Sequence, residues 1–251
     1  MQAQHCTDRT VFRIGGPDRL DFLQGLVTND VARLDAGLVY AALLTPQGKY
    51  LADFFLVPDG DTVLLDIKSD LAAATVQRLG MYKLRAQVTI ETAEMPVWRG
   101  LADGPNGSFA DPRHETLGWR YYGALDVPET EIDWDTLRVA ACIPETGVEL
   151  IANDSYILEA GFERLNGVDF KKGCYVGQEV TARMKHKTEL RKGLAPVTVE
   201  GEVPAGTEIR ADGKAAGTVF TQSGGRGIAY LRYDRAVGEM TAGDATLHRS
   251  T

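Results

Sequence analysis

Cysteine and histidine are scarce in this chain, with three of one and four of the other in 251 residues. Cys6, Cys142 and Cys174 are odd in number and far apart, which excludes a disulfide framework. The usual zinc or iron–sulfur site wants four protein ligands with close-set cysteines, so no stably bound metal is expected. His5, His114, His186 and His248 give no local support to a hydrolase triad, and each reads as a surface residue. The G-x-G-x-x-G, G-x-x-x-x-G-K, H-E-x-x-H and G-x-S-x-G patterns are all missing. No apolar run approaches eighteen residues, so no membrane span or membrane partner is expected. Met1 to Arg9 is polar and lacks the order of a signal peptide, which makes a cytoplasmic location the expectation.

Positive charge is also in deficit: the net charge is −8 and the pI near 5.1. That argues against a nucleic-acid partner. Within this acidic chain, Lys171 to Lys192 holds seven Lys or Arg and only two Glu. An island of that kind suits an anionic ligand, and equally a solvated helix face.

Along the chain, a mixed α+β part is followed by an all-β tail. Thr10 to Ile14 reads as a strand, and Pro17 suits the first turn of a helix running to about Leu26. Tyr40 to Leu44 and Tyr50 to Val57 pair across Pro46-Gln47-Gly48, and Thr62 to Ile67 adds a strand. Ser69 is expected to cap a helix to about Met81, with Asp70 in its first turn, and Ala86 to Ile90 returns as a strand. This order suggests a split βαβ layout. Val97 to Tyr122 reads as short strands and loops, and Asp133 to Ala141 as a helix. After about Thr188, short β runs at Val197 to Val199, Glu208 to Arg210, Thr218 to Phe220 and Ile228 to Tyr233 are separated by turn signals. They predict a small barrel or sandwich.

The informative stretch is Lys172-Gly173-Cys174-Tyr175-Val176-Gly177-Gln178-Glu179. Two glycines flank a Cys-Tyr-Val step, and Gln178 to about Lys187 has helix-forming composition, with Glu179 and Arg183 in the favourable order. Cys174 is thus expected in a tight loop entering a helix N-terminus, near Lys171 and Lys172. Such a setting favours a thiolate. A lone cysteine is equally a small buried core residue, and residue chemistry leaves the two readings even.

All eight positions match the K-G-C-Y-[V/I]-G-Q-E signature of the YgfZ-type proteins, which this chain resembles. Other segments agree in the same order: Asp18 to Val31, Leu43 to Val57 with Thr45-Pro46-Gln47-Gly48-Lys49, Met81 to Val88, and Ile143 to Gly147 with Glu159. The resemblance is weakest from Trp98 to Glu131. It implies folate-binding helpers of iron–sulfur protein maturation, similar to the T-protein of the glycine cleavage system, an aminomethyltransferase. The implied fold is α+β, a T-protein-like three-domain ring around a channel, ending in a small β-barrel. On that pattern residues 1–95 form a first folate-binding subdomain, joined by part of 140–190. Residues 96–188 form a second that carries the cysteine loop, and 189–251 form the barrel.

The resemblance also implies a cofactor, tetrahydrofolate or a derivative, contacted by Asn29, Asp30, Tyr82, Arg85 and Glu159. A carboxylate such as Glu159 would accept from the pterin, and the basic island would hold the glutamate tail. Cys174, tuned by Lys172, becomes the working thiol, in a loop shaped by Gly173, Tyr175, Gly177, Gln178 and Glu179. The chain departs from T-proteins in reading Leu51-Ala52-Asp53 where they carry two adjacent aspartates, so Asp53 alone remains for proton handling. Three readings follow: a folate-binding accessory protein whose partners are iron–sulfur client or assembly proteins; a tetrahydrofolate-dependent aminomethyl or one-carbon transferase; and a folate-binding interaction module in which Cys174 is core packing.

Overall fold

The computed structural model describes residues 1–187 and 189–250. Thr188, the expected end of the second subdomain, and Thr251 lie outside the described residues. The chain divides into two compact units: Met1–Ile132 with Glu163–Val180, and Asp133–Phe162 with Thr181–Thr251.

The first unit contains two sheets. Its strands are β1 (Gln2–His5), β2 (Arg9–Gly15), β3 (Val39–Leu44), β4 (Tyr50–Asp59), β5 (Thr62–Lys68), β6 (Thr89–Ala93), β7 (Val97–Leu101), β8 (Phe109–Ala110) and β9 (Trp119–Tyr122). Helices α1 (Arg19–Gln24) and α2 (Ser69–Lys83) interrupt them. One sheet has the order β3-β4-β5-β2-β6 and the other β1-β7-β9-β8. β2 pairs antiparallel with both β5 and β6, so those two strands run parallel with β2 between them and α2 as their link. That is the expected split βαβ. The first helix is shorter than predicted, and β6 starts three residues late because Lys83 to Ala86 is taken up by a turn.

Period-two alternation sorts the two faces of β4. Ala52, Phe54 and Leu56 join the core formed with Phe12, Ile14, Phe22, Leu23 and Leu79. Asp53 and Phe55 face the other way, onto a polar lattice. There Asp66 is fully buried. It accepts from Arg9 Nε at 2.6 Å, Arg120 Nη2 at 2.9 Å and the Tyr122 hydroxyl at 2.8 Å. Burial would raise the Asp66 carboxyl, but Arg9 and Arg120 outweigh it and hold it below the usual carboxylate range. Asp111 pairs with Arg113 at 2.8 Å, and the guanidinium groups of Arg9, Arg113 and Arg120 all lie over the Phe55 ring. A cluster of charge is therefore interior here. Two histidines also have specific contacts: His5 packs on Trp98 at 5.0 Å, and His114 Nδ1 accepts the Thr116 N–H.

The second unit opens with α3 (Trp134–Ala140), close to the predicted helix. α4 (Gln178–Lys187) crosses the division between the units, which falls after Val180. Strands β10 (Lys192–Glu200), β11 (Glu208–Ala211), β12 (Lys214–Ser223), β13 (Arg226–Arg232), β14 (Glu239–Ala242) and β15 (Ala245–Arg249) close a barrel in the order β10-β13-β12-β11-β14-β15. Its interior is small and aliphatic, with Val197, Ile209, Val219, Leu231, Met240 and Leu247. α3 is fixed to the barrel by Arg138, whose five N–H groups reach Asp135, Ile143, Glu149 and Thr221. No helix among the described residues is long and apolar enough to cross a membrane.

Candidate functional site

The cysteine loop belongs to the first unit, and its geometry is set by a segment far away in sequence. Thr28 is the first tie. Its hydroxyl accepts from Ala42 N at 2.8 Å and donates to Gly167 O at 2.7 Å, while its carbonyl accepts Asp169 N at 3.0 Å. Asn29 is the second. Its amide nitrogen donates to Tyr40 O at 2.8 Å and Asn166 O at 2.6 Å, and its oxygen accepts Asp30 N. Asp169 then accepts the N–H groups of Lys171 and Lys172 on one oxygen and Arg33 on the other. Burial would raise this carboxyl, but those donors hold it low.

The loop then alternates inward and outward. Lys172 is buried, and its ammonium donates to Gln24 O at 2.7 Å and Val27 O at 2.5 Å. These carbonyls stand at the end of α1, where a cation is favoured. Burial pushes the Lys172 ammonium down to about 8, against the opposing pull of Asp30 and Asp169. Cys174 points out and is exposed, whereas Cys6 and Cys142 are buried. Tyr175 turns back in and lies under the Lys172 ammonium at 5.0 Å. The core-packing reading of Cys174 is thereby removed.

Gly177, at φ +85°, closes the loop. A Cβ there would stand 2.6 Å from Thr45 O and 3.2 Å from the Gly48 Cα. Gly48, at φ +76°, would meet Val180 in return. The hairpin turn and the signature thus touch backbone to backbone, which is why each needs glycine. Gly173 meets nothing within 4 Å. Gln178 opens α4 with Glu179 in its first turn, and the Gln178 N–H donates to Tyr175 O.

The remaining site candidates are more dispersed. Asn29 is buried with its amide engaged inside the protein, and Asp30 caps the 3-10 turn Val31–Ala36 while accepting from Gln24. Tyr82 is half-buried at the end of α2, and Arg85 is exposed. Asp53 accepts from the Tyr40 hydroxyl at 2.9 Å and the Tyr50 hydroxyl at 2.6 Å. Burial first, then the Asp53 charge, pushes the Tyr40 hydroxyl well above its usual value, so it stays a donor. Glu159 belongs to the second unit, where it accepts from the Tyr230 hydroxyl at 2.6 Å and has Lys192 Nζ at 3.9 Å. Tyr40, Tyr50 and Tyr230 were not legible as site neighbours, since pairing across a sheet carries no local spacing signal.

Comparison with known proteins gives the family. The chain is 33% identical to the mitochondrial iron–sulfur cluster assembly factor IBA57 of Mus musculus, over 92% of this chain and 78% of that protein. It is 31% identical to the IBA57 of Homo sapiens with the same coverage. The chain belongs to the IBA57 family of iron–sulfur cluster assembly factors. Residues 191–251 match the CAF17 C-terminal beta-barrel domain, in agreement with the closed barrel of this IBA57-family chain. Its fold is that of the T-protein: the glycine cleavage system aminomethyltransferase T of Bartonella henselae superposes with a TM-score of 0.82, at 15% identity, over 100% of this chain and 85% of that one. The cytoplasmic expectation is corrected here, because the IBA57 relatives are mitochondrial proteins. It rested on a polar start, and the absence of a leader pattern carries no positive information about compartment.

Proposed function

We propose that the chain is a folate-binding accessory protein of the YgfZ type, acting in assembly or repair of iron–sulfur proteins through Cys174. The observation that carries the reading is the presentation of that thiol. Cys174 is exposed, between Lys172 and Tyr175, both buried. A loop held on both sides of one outward cysteine suits transient contact with a client protein or its cluster. Preorganisation of the side chain lowers the entropy lost on contact. The iron–sulfur cluster is the cargo of this activity.

For tetrahydrofolate, the exposed guanidinium of Arg85 suits the glutamate carboxylates and the half-buried ring of Tyr82 suits stacking on a pterin. Asn29 fits that role less well, because its amide is engaged with Tyr40 and Asn166. When bound, a reduced folate supplies an acceptor or donor for one-carbon groups. A second reading, aminomethyl or one-carbon transfer, is favoured by the lone carboxylate of Asp53 held between two tyrosine hydroxyls.

The test is Cys174→Ser in cells lacking the native protein, with client iron–sulfur enzyme activities as readout. Loss of client activity with an unchanged melting temperature supports the thiol role. Full client activity rejects it. Tetrahydrofolate that slows alkylation of Cys174 supports the folate assignment, and turnover of an aminomethyl-lipoyl carrier above a protein-free control would favour the transferase reading.

A further inference from the structure

α2 runs out into a tight turn in which the Ala86 N–H donates to Lys83 O at 2.7 Å. Leu84 occupies its second position with φ 43° and ψ −106°. That is close to the first central position of a type II′ turn, a place for glycine. A leucine there is strained, and strain of this kind clusters at functional and ligand-contacting positions. The side chain is not used in packing. Leu84 is 90% exposed, more than any other large hydrophobic residue of the described chain, and Met81 one turn earlier is 61% exposed. From Arg78 to Ile90 there are three cations, Arg78, Lys83 and Arg85, and no carboxylate, within a chain of net charge −8.

We infer that the Met81–Leu84 tip is a docking knob for a partner protein offering an apolar cleft rimmed by Asp and Glu. Leu84 enters the cleft, Met81 flanks it, and Arg78 and Lys83 meet the rim. The charge pattern selects this occupant. An anionic bilayer and a second copy of the chain both meet the −8 net charge, and two apolar side chains are too few to hold a membrane surface. A small cleft with a charged rim needs only one apolar anchor. The inference is separate from the chemistry of Cys174.

The experiment places a photoreactive p-benzoylphenylalanine at position 81 of the full chain in cells and maps the cross-links by mass spectrometry. The expected result is attachment to one protein, at apolar residues neighboured by Asp or Glu. Its yield falls about tenfold on Leu84→Gly or Leu84→Asn, and also on Arg78→Gln with Lys83→Gln. The same Leu84 variants melt within about 2 °C of the parent, or above it. Four results overturn the inference: no protein cross-link, a yield indifferent to Leu84, attachment only to lipid or to a second copy, or a fall in melting temperature in both variants.

Discussion

The Lys172 ammonium lies 2.5 Å from the carbonyl oxygen of Val27, so the signature's first residue fastens the turn that follows α1, some 145 positions earlier. Lys172→Met keeps the stem and removes the donors. With two carbonyls left unpaired in a largely buried place, stability is expected to fall by about 1–3 kcal/mol. Urea denaturation measures the loss. Lys172→Arg should not rescue fully, since a planar fork does not fit a site built for a point donor.

The same residue gives a pH dependence. Burial lowers Lys172 to about 8 in the folded chain, from 10.5 as the ordinary value. Between those values the unfolded chain holds the extra proton, so stability conferred by this group rises with pH across the window. Below about 8 both states are protonated and the dependence vanishes. The stability difference between parent and Lys172→Met, followed by urea titration from pH 7 to 10.5, should widen in the alkaline range. A flat difference would place the ammonium in water.

Gly177 and Gly173 make a matched pair of tests. Gly177→Ala forces a Cβ against the Thr45 carbonyl at positive φ, and should lose about 2–4 kcal/mol while disturbing Cys174 reactivity. Gly173→Ala meets open space and should stay within about 0.5 kcal/mol of the parent. Melting curves and thiol alkylation rates read both.

Asp66→Asn leaves Arg9 without its buried counter-charge and leaves Arg120 with Asp111, at 3.7 Å. An expected loss of about 3–5 kcal/mol follows. In the parent, the contribution of this carboxylate is present above its unfolded value and is lost as acid carries the pH down through the lower folded one. Acid unfolding of the parent should therefore be steeper than that of Asp66→Asn.

Much of the fold was legible because local chemistry announced it. The hairpin around Gly48, the α2 start at Ser69, the α4 start at Gln178 and the turn-rich tail all carry short-range signals. The strands β14 and β15 were missed, since Glu239–Ala242 and Ala245–Arg249 are too short and mixed to stand out before the barrel pairs them. The interior arginines were missed for a different reason. A sequence gives Arg9 and Arg120 no sign that Asp66 and the Phe55 ring await them from other strands, and gives Arg113 no sign that its pair with Asp111 will be buried over that ring. In the site, the tight glycine loop entering α4 followed from the signature, whereas the exposure of Cys174 did not, because burial depends on long-range packing. The role of Thr28 and Asn29 as ties to that loop did not, because their partners are more than 130 residues distant.

That distance has a consequence for biogenesis. The thiol loop is shaped by contacts that join the first thirty residues to residues 166–172, and closing so long a span costs entropy that only a finished sheet repays. A chain whose first thirty residues have not yet docked on residues 166–172 carries no organised Cys174. Presentation of the cysteine is therefore a late event in folding, and a partner that recognises the loop reads, in the same act, whether the first unit has been completed.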